Sequence, residues 1–216
     1  MLMNWIQRKK TTRPAASPED AGGSAPSERA GEAAEMALFE GVRQGRQKSF
    51  EALYRLYHPR LQRFLLHMIR QGDAVVEEVL NDTMMVVWRR ADAFDGRSRL
   101  STWIFGIAYR KALKALSRMD LPVDDADLPE SPDPAPGPES RAGFVQLRGR
   151  LQQAMNELSV DHRAVIELCY FHDMSHGEIA DVVGCPPETV KTRMFYARRR
   201  LRALLEDLGG HLPGEM

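Results

Sequence analysis

The stretch MSHGEIADVVGCPPETVKTRMF, residues 174–195, decides how the rest of the chain is read. Ser175 can cap a helix, with Glu178 three positions on to complete a capping box. Ile179, Val182 and Val183 give that helix an apolar face, and Gly184 stands where a left-handed residue would end it. Pro187 suits the first turn of a second helix, because its missing N–H would have had no intrahelical partner there. Two helices punctuated in this way read as a helix-turn-helix, whose second helix enters the DNA major groove. The pattern also fits a plain helical hairpin, so the content of the second helix matters.

That helix lies in PPETVKTRMFYARRRLRALL, residues 186–205, with six basic residues and one acid. Val190, Met194, Ala197, Leu201 and Leu205 recur at spacings of three and four, one apolar stripe. Glu188, Lys191, Thr192, Phe195, Arg199 and Arg202 fall opposite. A phenyl ring among cations and a hydroxyl suits a major groove, where apolar groups touch thymine methyls and Lys or Arg reach guanine edges or phosphates. The other reading is a solvated basic helix with Phe195 covered by a neighbour. Upstream, Leu158, Val165, Ile166 and Cys169 read as the core of a supporting helix pair.

The chain as a whole has 216 residues, with 30 basic and 30 acidic. Its neutrality hides an asymmetry. Residues 36–119 carry 15 basic and 8 acidic side chains, residues 120–139 carry seven acids and no base, and residues 140–216 balance. Such a distribution speaks to partners rather than to fold. Residues 1–36 lack a sustained apolar period and are expected to be disordered. Residues 37–118 read as consecutive helices. Residues 119–144 form an acidic, Pro-rich linker, expected to be an extended tether. Residues 145–208 are helical again, and 209–216 are a tail. The fold class is all-α: two small helical modules on a flexible acidic linker.

Within the first module, residues 74–91 are expected to be amphipathic. Val76, Val79, Leu80, Thr83 and Val87 point inward. Glu77, Glu78, Asn81, Asp82, Met85 and Trp88 share the other side, where Met and Trp among acids suit a protein-docking surface; Trp88 packed inside its own module is the alternative. In residues 94–118, Trp103, Arg110 and Lys114 line one side with Lys111 nearby. Aromatic and basic groups interleaved in this way can stack bases and hold phosphates. Phe94, Arg97, Ser98 and Arg99 precede them in a loop. A solvated cationic face with Trp103 in the core is the alternative.

These motifs together resemble an extracytoplasmic-function sigma factor of the sigma-70 family, an alternative initiation subunit of bacterial RNA polymerase. The likeness covers about residues 48–118 and 148–206. It is carried, in order, by SFEALYRLYHPRLQRFL, VEEVLNDTMMVVWRR, FDGRSRLSTWIFGIAYRKAL and LSVDHRAVIELCYFHDMSHGEIADVVGCPPETVKTRMFYARRRL. The resemblance implies that residues 37–118 are sigma domain 2, with Glu77, Glu78, Asn81, Asp82, Met85 and Trp88 on a helix that grips the clamp helices of the largest core subunit. It implies that Phe94, Arg97, Ser98, Arg99, Trp103, Arg110, Lys111 and Lys114 melt and bind the −10 element as single strand. Residues 145–208 would be sigma domain 4, reading duplex −35 DNA through Glu188, Thr189, Lys191, Thr192, Arg193, Phe195, Tyr196, Arg198, Arg199 and Arg202. An anti-sigma factor is the implied inhibitor. The linker would thread toward the polymerase channels, its acids mimicking nucleic-acid charge. Two positions depart from the pattern: Arg110 stands where Asn is frequent, and Tyr196 where Arg is.

A helix-turn-helix regulator that never joins polymerase would account for residues 145–208 but leave the Met85/Trp88 surface without a role. An enzyme finds little support. His172 and His176 lie four apart, but no carboxylate and third ligand complete a zinc site, and they read as exposed polar residues. No phosphate-cradling glycine loop is present. No metal or cofactor is expected. Cys169 and Cys185 read as buried small hydrophobes rather than a disulfide framework. No run is long enough to span a membrane, and MLMNWIQRKK has apolar and charged residues in the wrong order for a signal peptide, so a cytoplasmic location is expected.

Overall fold

The computed structural model describes residues 26–70, 72–118, 149 and 151–207. The chain divides between Ala34 and Glu35 into two units. Of the first unit, the described part is the opening of helix α1 (Pro26–Arg43). The second holds α2 (Gln47–Ile69), α3 (Asp73–Arg89), a 3-10 turn (Ala91–Ala93), α4 (Leu100–Arg118), a helical stretch at 151–156, α5 (Val160–Phe171), α6 (His176–Val183) and α7 (Pro187–Asp207). There is no strand among the described residues. The expected disorder of residues 1–36 is therefore corrected for residues 26–36, which belong to α1; residues 1–25 lie outside the described part, as do the acidic linker at 119–144 and the tail at 209–216. The helix PSERAGEAAEMALFEGVR is rich in Ala and Glu, good helix formers that need no apolar period to favour a helix.

Helix α1 is fastened from its second half. Phe39 and Val42 are buried. Glu35 accepts from the Tyr57 hydroxyl at 2.8 Å and from Arg60 at 3.0 Å. The carboxylate and burial hold the Tyr57 phenol well above its usual range, burial being the larger cause. A Cβ at Gly41 would sit 2.2 Å from the Ser49 hydroxyl, so the start of α2 approaches α1 too closely for a side chain there unless Ser49 shifts.

The first core is built by three helices. Leu53, Leu61, Phe64, Leu65 and Met68 of α2 meet Leu80, Met84 and Val87 of α3 and Ile104, Phe105 and Ala108 of α4. Each fully buried aliphatic or aromatic side chain stabilises by about 1.5–3 kcal/mol over an exposed one. The inward set Val76, Val79, Leu80, Thr83 and Val87 is buried as its spacing predicts; Thr83 satisfies its hydroxyl on the Val79 carbonyl at 2.7 Å. The second core joins Ala164, Val165 and Leu168 of α5 to Ile179 and Val182 of α6 and Val190, Met194 and Ala197 of α7. Leu201 packs half-buried against it, and the Leu205 side chain lies outside the described part. Cys169 and Cys185 are free thiols packed half-buried at the edge of this core, less buried than their reading as small core hydrophobes implies.

Candidate nucleic-acid interface

The helix-turn-helix forms as its punctuation predicts. The Ser175 hydroxyl accepts from the Glu178 N–H at 3.3 Å, and Glu178 Oε2 accepts from the Ser175 N–H at 2.9 Å. Gly184 ends α6 at φ 72° and its N–H reaches the Ala180 carbonyl; a side chain at this φ is strained. The buried Val190/Met194/Ala197 stripe then fixes which side of α7 faces out. On that side Phe195 is 57% and Tyr196 51% exposed, their rings edge to face at 5.4 Å. No neighbour covers Phe195. Glu188, Lys191, Thr192, Arg198, Arg199 and Arg202 are exposed around the ring pair. Lys191 pairs with Glu188 at 3.1 Å, and the Thr192 hydroxyl donates to the Glu188 carbonyl at 3.0 Å. Thr189 is half-buried.

Arg193 departs from the expected outward role. It bonds Asp161 and approaches the Cys185 sulfur at 3.9 Å, with 24% of its side chain exposed. It braces α7 against α5 instead of facing a ligand.

The 94–118 segment is more self-engaged than its sequence suggests. Phe94 is only 8% exposed and packs edge to face on Phe39 at 5.3 Å. Trp103 is half-buried against the same two rings, at 5.4 Å from Phe94 and 5.7 Å from Phe39. Phe94 is thus a core residue in this conformation, because the turn at 91–93 folds it back. Arg97 is exposed and held by Asp95, Ser98 is half-buried, and Arg110 and Lys114 are exposed. A Cβ at Gly106 would lie 3.3 Å from the Arg110 guanidinium, so the arginine folds back over a helical turn left bare for it. Lying on that bare turn partly desolvates the Arg110 guanidinium and lowers its pKa, although the residue stays exposed overall. Lys111 reaches Asp82 at 2.7 Å, linking this segment to α3.

The outer face of α3 gathers as expected, with Glu78, Asn81 and Asp82 exposed and Met85 42% exposed. Trp88 is half-buried on Phe50, with centroids 5.1 Å apart. The sequence reading omitted α2's share of this surface. The Tyr54 hydroxyl donates to Asn81 at 2.9 Å, and His58 lies 3.4 Å from Glu77. Phe50, Tyr54 and His58 recur every fourth residue, a stripe legible in the sequence.

Comparison with known proteins fits both halves of this arrangement. Residues 53–120 match the family described as sigma-70 region 2, and residues 148–201 match sigma-70 region 4. The extracytoplasmic-function sigma factor RpoE of Cereibacter sphaeroides is 33% identical over 77% of this chain and 92% of its own length. The chain belongs to the extracytoplasmic-function sigma factors. The sigma factor CarQ of Myxococcus xanthus is 30% identical over 78% of the chain and 96% of its own. Among solved structures, CnrH in complex with the cytosolic domain of CnrY superposes with a TM-score of 0.61 at 25% identity, covering 81% of this chain and 98% of that one. This sigma factor is therefore an alternative sigma factor for transcription initiation, and the regulator that stays apart from polymerase is set aside by the region 2 match. Among the described residues no helix is long and apolar enough to cross a membrane.

Proposed function

We propose that α7 reads the −35 promoter element as duplex DNA, that residues 97–114 hold the −10 element as opened strand, and that the outer face of α3 docks on the clamp helices of core RNA polymerase. The observation that carries this reading is the pair of exposed rings, Phe195 and Tyr196, set among Lys191, Arg199 and Arg202 on the face of α7 turned away from its core. Aromatic groups on an outward cationic face have no core to join and suit base edges and methyl groups. Arg97, Arg99, Trp103, Arg110 and Lys114 supply the stacking and phosphate contacts that offset lost base stacking, about 1.4 kcal/mol per step. Phe94 supports them from within, and Arg193 holds α7 in place.

An anti-sigma protein is the fitting inhibitory partner, since CnrH is known bound to the cytosolic domain of CnrY. The site of action is the cytoplasm, where polymerase works. The acidic linker acts as a nucleic-acid mimic in the polymerase channels, an idea that unchanged initiation by a charge-neutralised linker would remove. The test of the main reading is transcription in vitro with purified core polymerase and a genomic promoter library. Specific transcripts should require this protein and be lost with Lys191→Ala/Arg199→Ala. Transcripts that survive the double substitution would take duplex reading away from α7.

A further inference from the structure

A cavity of about 300 Å³ lies between α2 and the end of α5, lined by Pro59, Arg60, Arg63, Phe171, His172 and Asp173. None of these residues belongs to the proposed DNA or polymerase surfaces. The volume is at the small end of the range for small-molecule sites. His172 forms one wall, a correction to its reading as an exposed polar residue. It is half-buried, with its ring 4.4 Å from Phe105 and 6.1 Å from Phe64. The chain leaves α5 in a tight turn that keeps the ring there. Asp173 takes a left-handed backbone at φ 50°, and the Met174 N–H reaches the Leu168 carbonyl at 3.1 Å.

Arg60 and Arg63 are one helical turn apart and so share a face of α2. Both are held in position by the fold. Arg60 donates from one nitrogen to Glu35 at 3.0 Å and lies 4.9 Å from the Tyr57 ring and 5.8 Å from that of Phe105. Arg63 turns Nε toward the buried Glu167 at 3.6 Å and lays its guanidinium 4.0 Å from the centre of the Phe171 ring. A guanidinium is a planar fork of several N–H donors that matches a carboxylate. One carboxylate apiece does not use up either fork. Support from the rings fixes the arginines in advance, which lowers the cost of ordering them around a ligand.

The electrostatics of the cavity show at His172. Burial first, and then the positive charges of Arg60, Arg63 and His67, push its imidazole down to about 4. Charges that oppose a cation at that point favour an anion beside it. Asp173 is the one acid in the lining and is exposed. It repels a bare anion but accepts from a ligand that also carries a donor. Phe171, 39% exposed, and Pro59 add apolar surface.

We propose that this cavity binds a small aromatic carboxylate bearing a hydrogen-bond donor, with the carboxylate on Arg60 and Arg63, the ring against Phe171 and Pro59, and the donor on Asp173. The sigma factor thus carries a metabolite site apart from its DNA and polymerase surfaces.

The test titrates 4-hydroxybenzoate into the isotope-labelled full chain and follows the amide signals of Phe171, His172 and Asp173 by NMR. Benzoate, 4-hydroxybenzamide and inorganic phosphate are the comparisons. These signals should move saturably with 4-hydroxybenzoate, with a Kd of about 1 mM or tighter. Benzoate, lacking the donor, should bind about three- to ten-fold more weakly, and the uncharged amide about ten-fold or more. Arg63→Lys keeps a cation for Glu167 but loses the fork, and should weaken 4-hydroxybenzoate about ten-fold. Asp173→Asn suits the left-handed backbone and should narrow the preference for 4-hydroxybenzoate over benzoate to about two-fold or less. Phosphate binding as tightly as 4-hydroxybenzoate overturns the aromatic class. Signals that do not move with 4-hydroxybenzoate, or an affinity unchanged in Arg63→Lys, overturn the site. Each result is read without DNA or polymerase, so it stands independently of the promoter reading.

Discussion

The two proposed DNA surfaces differ in readiness. On α7, Phe195 and Tyr196 stand in solvent, and the surrounding cations either point outward or pair only with a neighbour on the same helix. In the 94–118 segment, Phe94 is buried, Trp103 packs on it, Arg99 is held by Glu178 and Lys111 by Asp82. A duplex has a fixed groove, and a preformed helix face can match it without rearranging. An opened strand has no fixed shape until it is bound, and aromatic groups waiting in water for it would be an aggregation liability. The first surface is displayed and the second is stored.

The largest effect that would break this contrast is on folding. Phe94→Ala should destabilise the protein by about 3–5 kcal/mol, as buried aromatic truncations do, read from urea unfolding. Phe195→Ala should stay within ~0.5 kcal/mol, as exposed substitutions do. Equal losses for the two would erase the distinction between stored and displayed rings.

Next comes acid. Burial first, and then Arg60, Arg63 and His67, push His172 down to about 4 from its ordinary 6.5. Packed 4.4 Å from Phe105, His172 stays neutral in the fold, whereas the unfolded chain would protonate it. The stability this contributes is fully present above pH 6.5 and is lost as pH falls toward 4, about 3 kcal/mol at the acid end. Urea unfolding of the wild-type chain should show the loss over that window. His172→Phe, which cannot take a proton, should flatten the pH response.

A smaller effect concerns duplex binding. Arg199→Ala should weaken binding to a −35 duplex by about 1–3 kcal/mol if it meets a base edge. If it meets only phosphate, the loss should be uniform across sequences and the salt dependence should fall by about one ion. A titration against two duplex sequences at several salt concentrations separates the cases. The smallest effect belongs to Asp82 and Lys111. A double-mutant cycle on stability should give a coupling of about 0.2–1 kcal/mol, since the carboxylate is exposed; a coupling of several kcal/mol would make that pair a structural pin and the segment less free to rearrange.

The helix-turn-helix was almost wholly legible because its signals are local. The Ser175/Glu178 box, Gly184 and the Val190/Met194/Ala197 stripe each act over a few residues. The face of α3 was legible for the same reason. Residues 26–36 were misread because an Ala/Glu helix has no apolar rhythm, and its anchor, Glu35 on Tyr57 and Arg60, depends on partners more than twenty residues away. Phe94, Arg193 and His172 were misplaced because each is turned inward by a partner distant in sequence or by a backbone turn that residue type does not announce. The contact between α2 and α5 lies beyond sequence periodicity altogether. Arg163 meets the His67 carbonyl across 96 residues, and nothing in either segment alone marks the other as its neighbour.

Glu178 divides its two oxygens: Oε2 holds the start of α6 while Oε1 takes Thr102 and Arg99. One residue is thus subject to two selective demands. A substitution there would loosen the contact with α4 and fray the helix that supports the recognition helix at the same time. Tyr109 carries no such double duty in the helix-turn-helix, so change in this contact is expected to accumulate at Tyr109, while Glu178 is constrained from both sides.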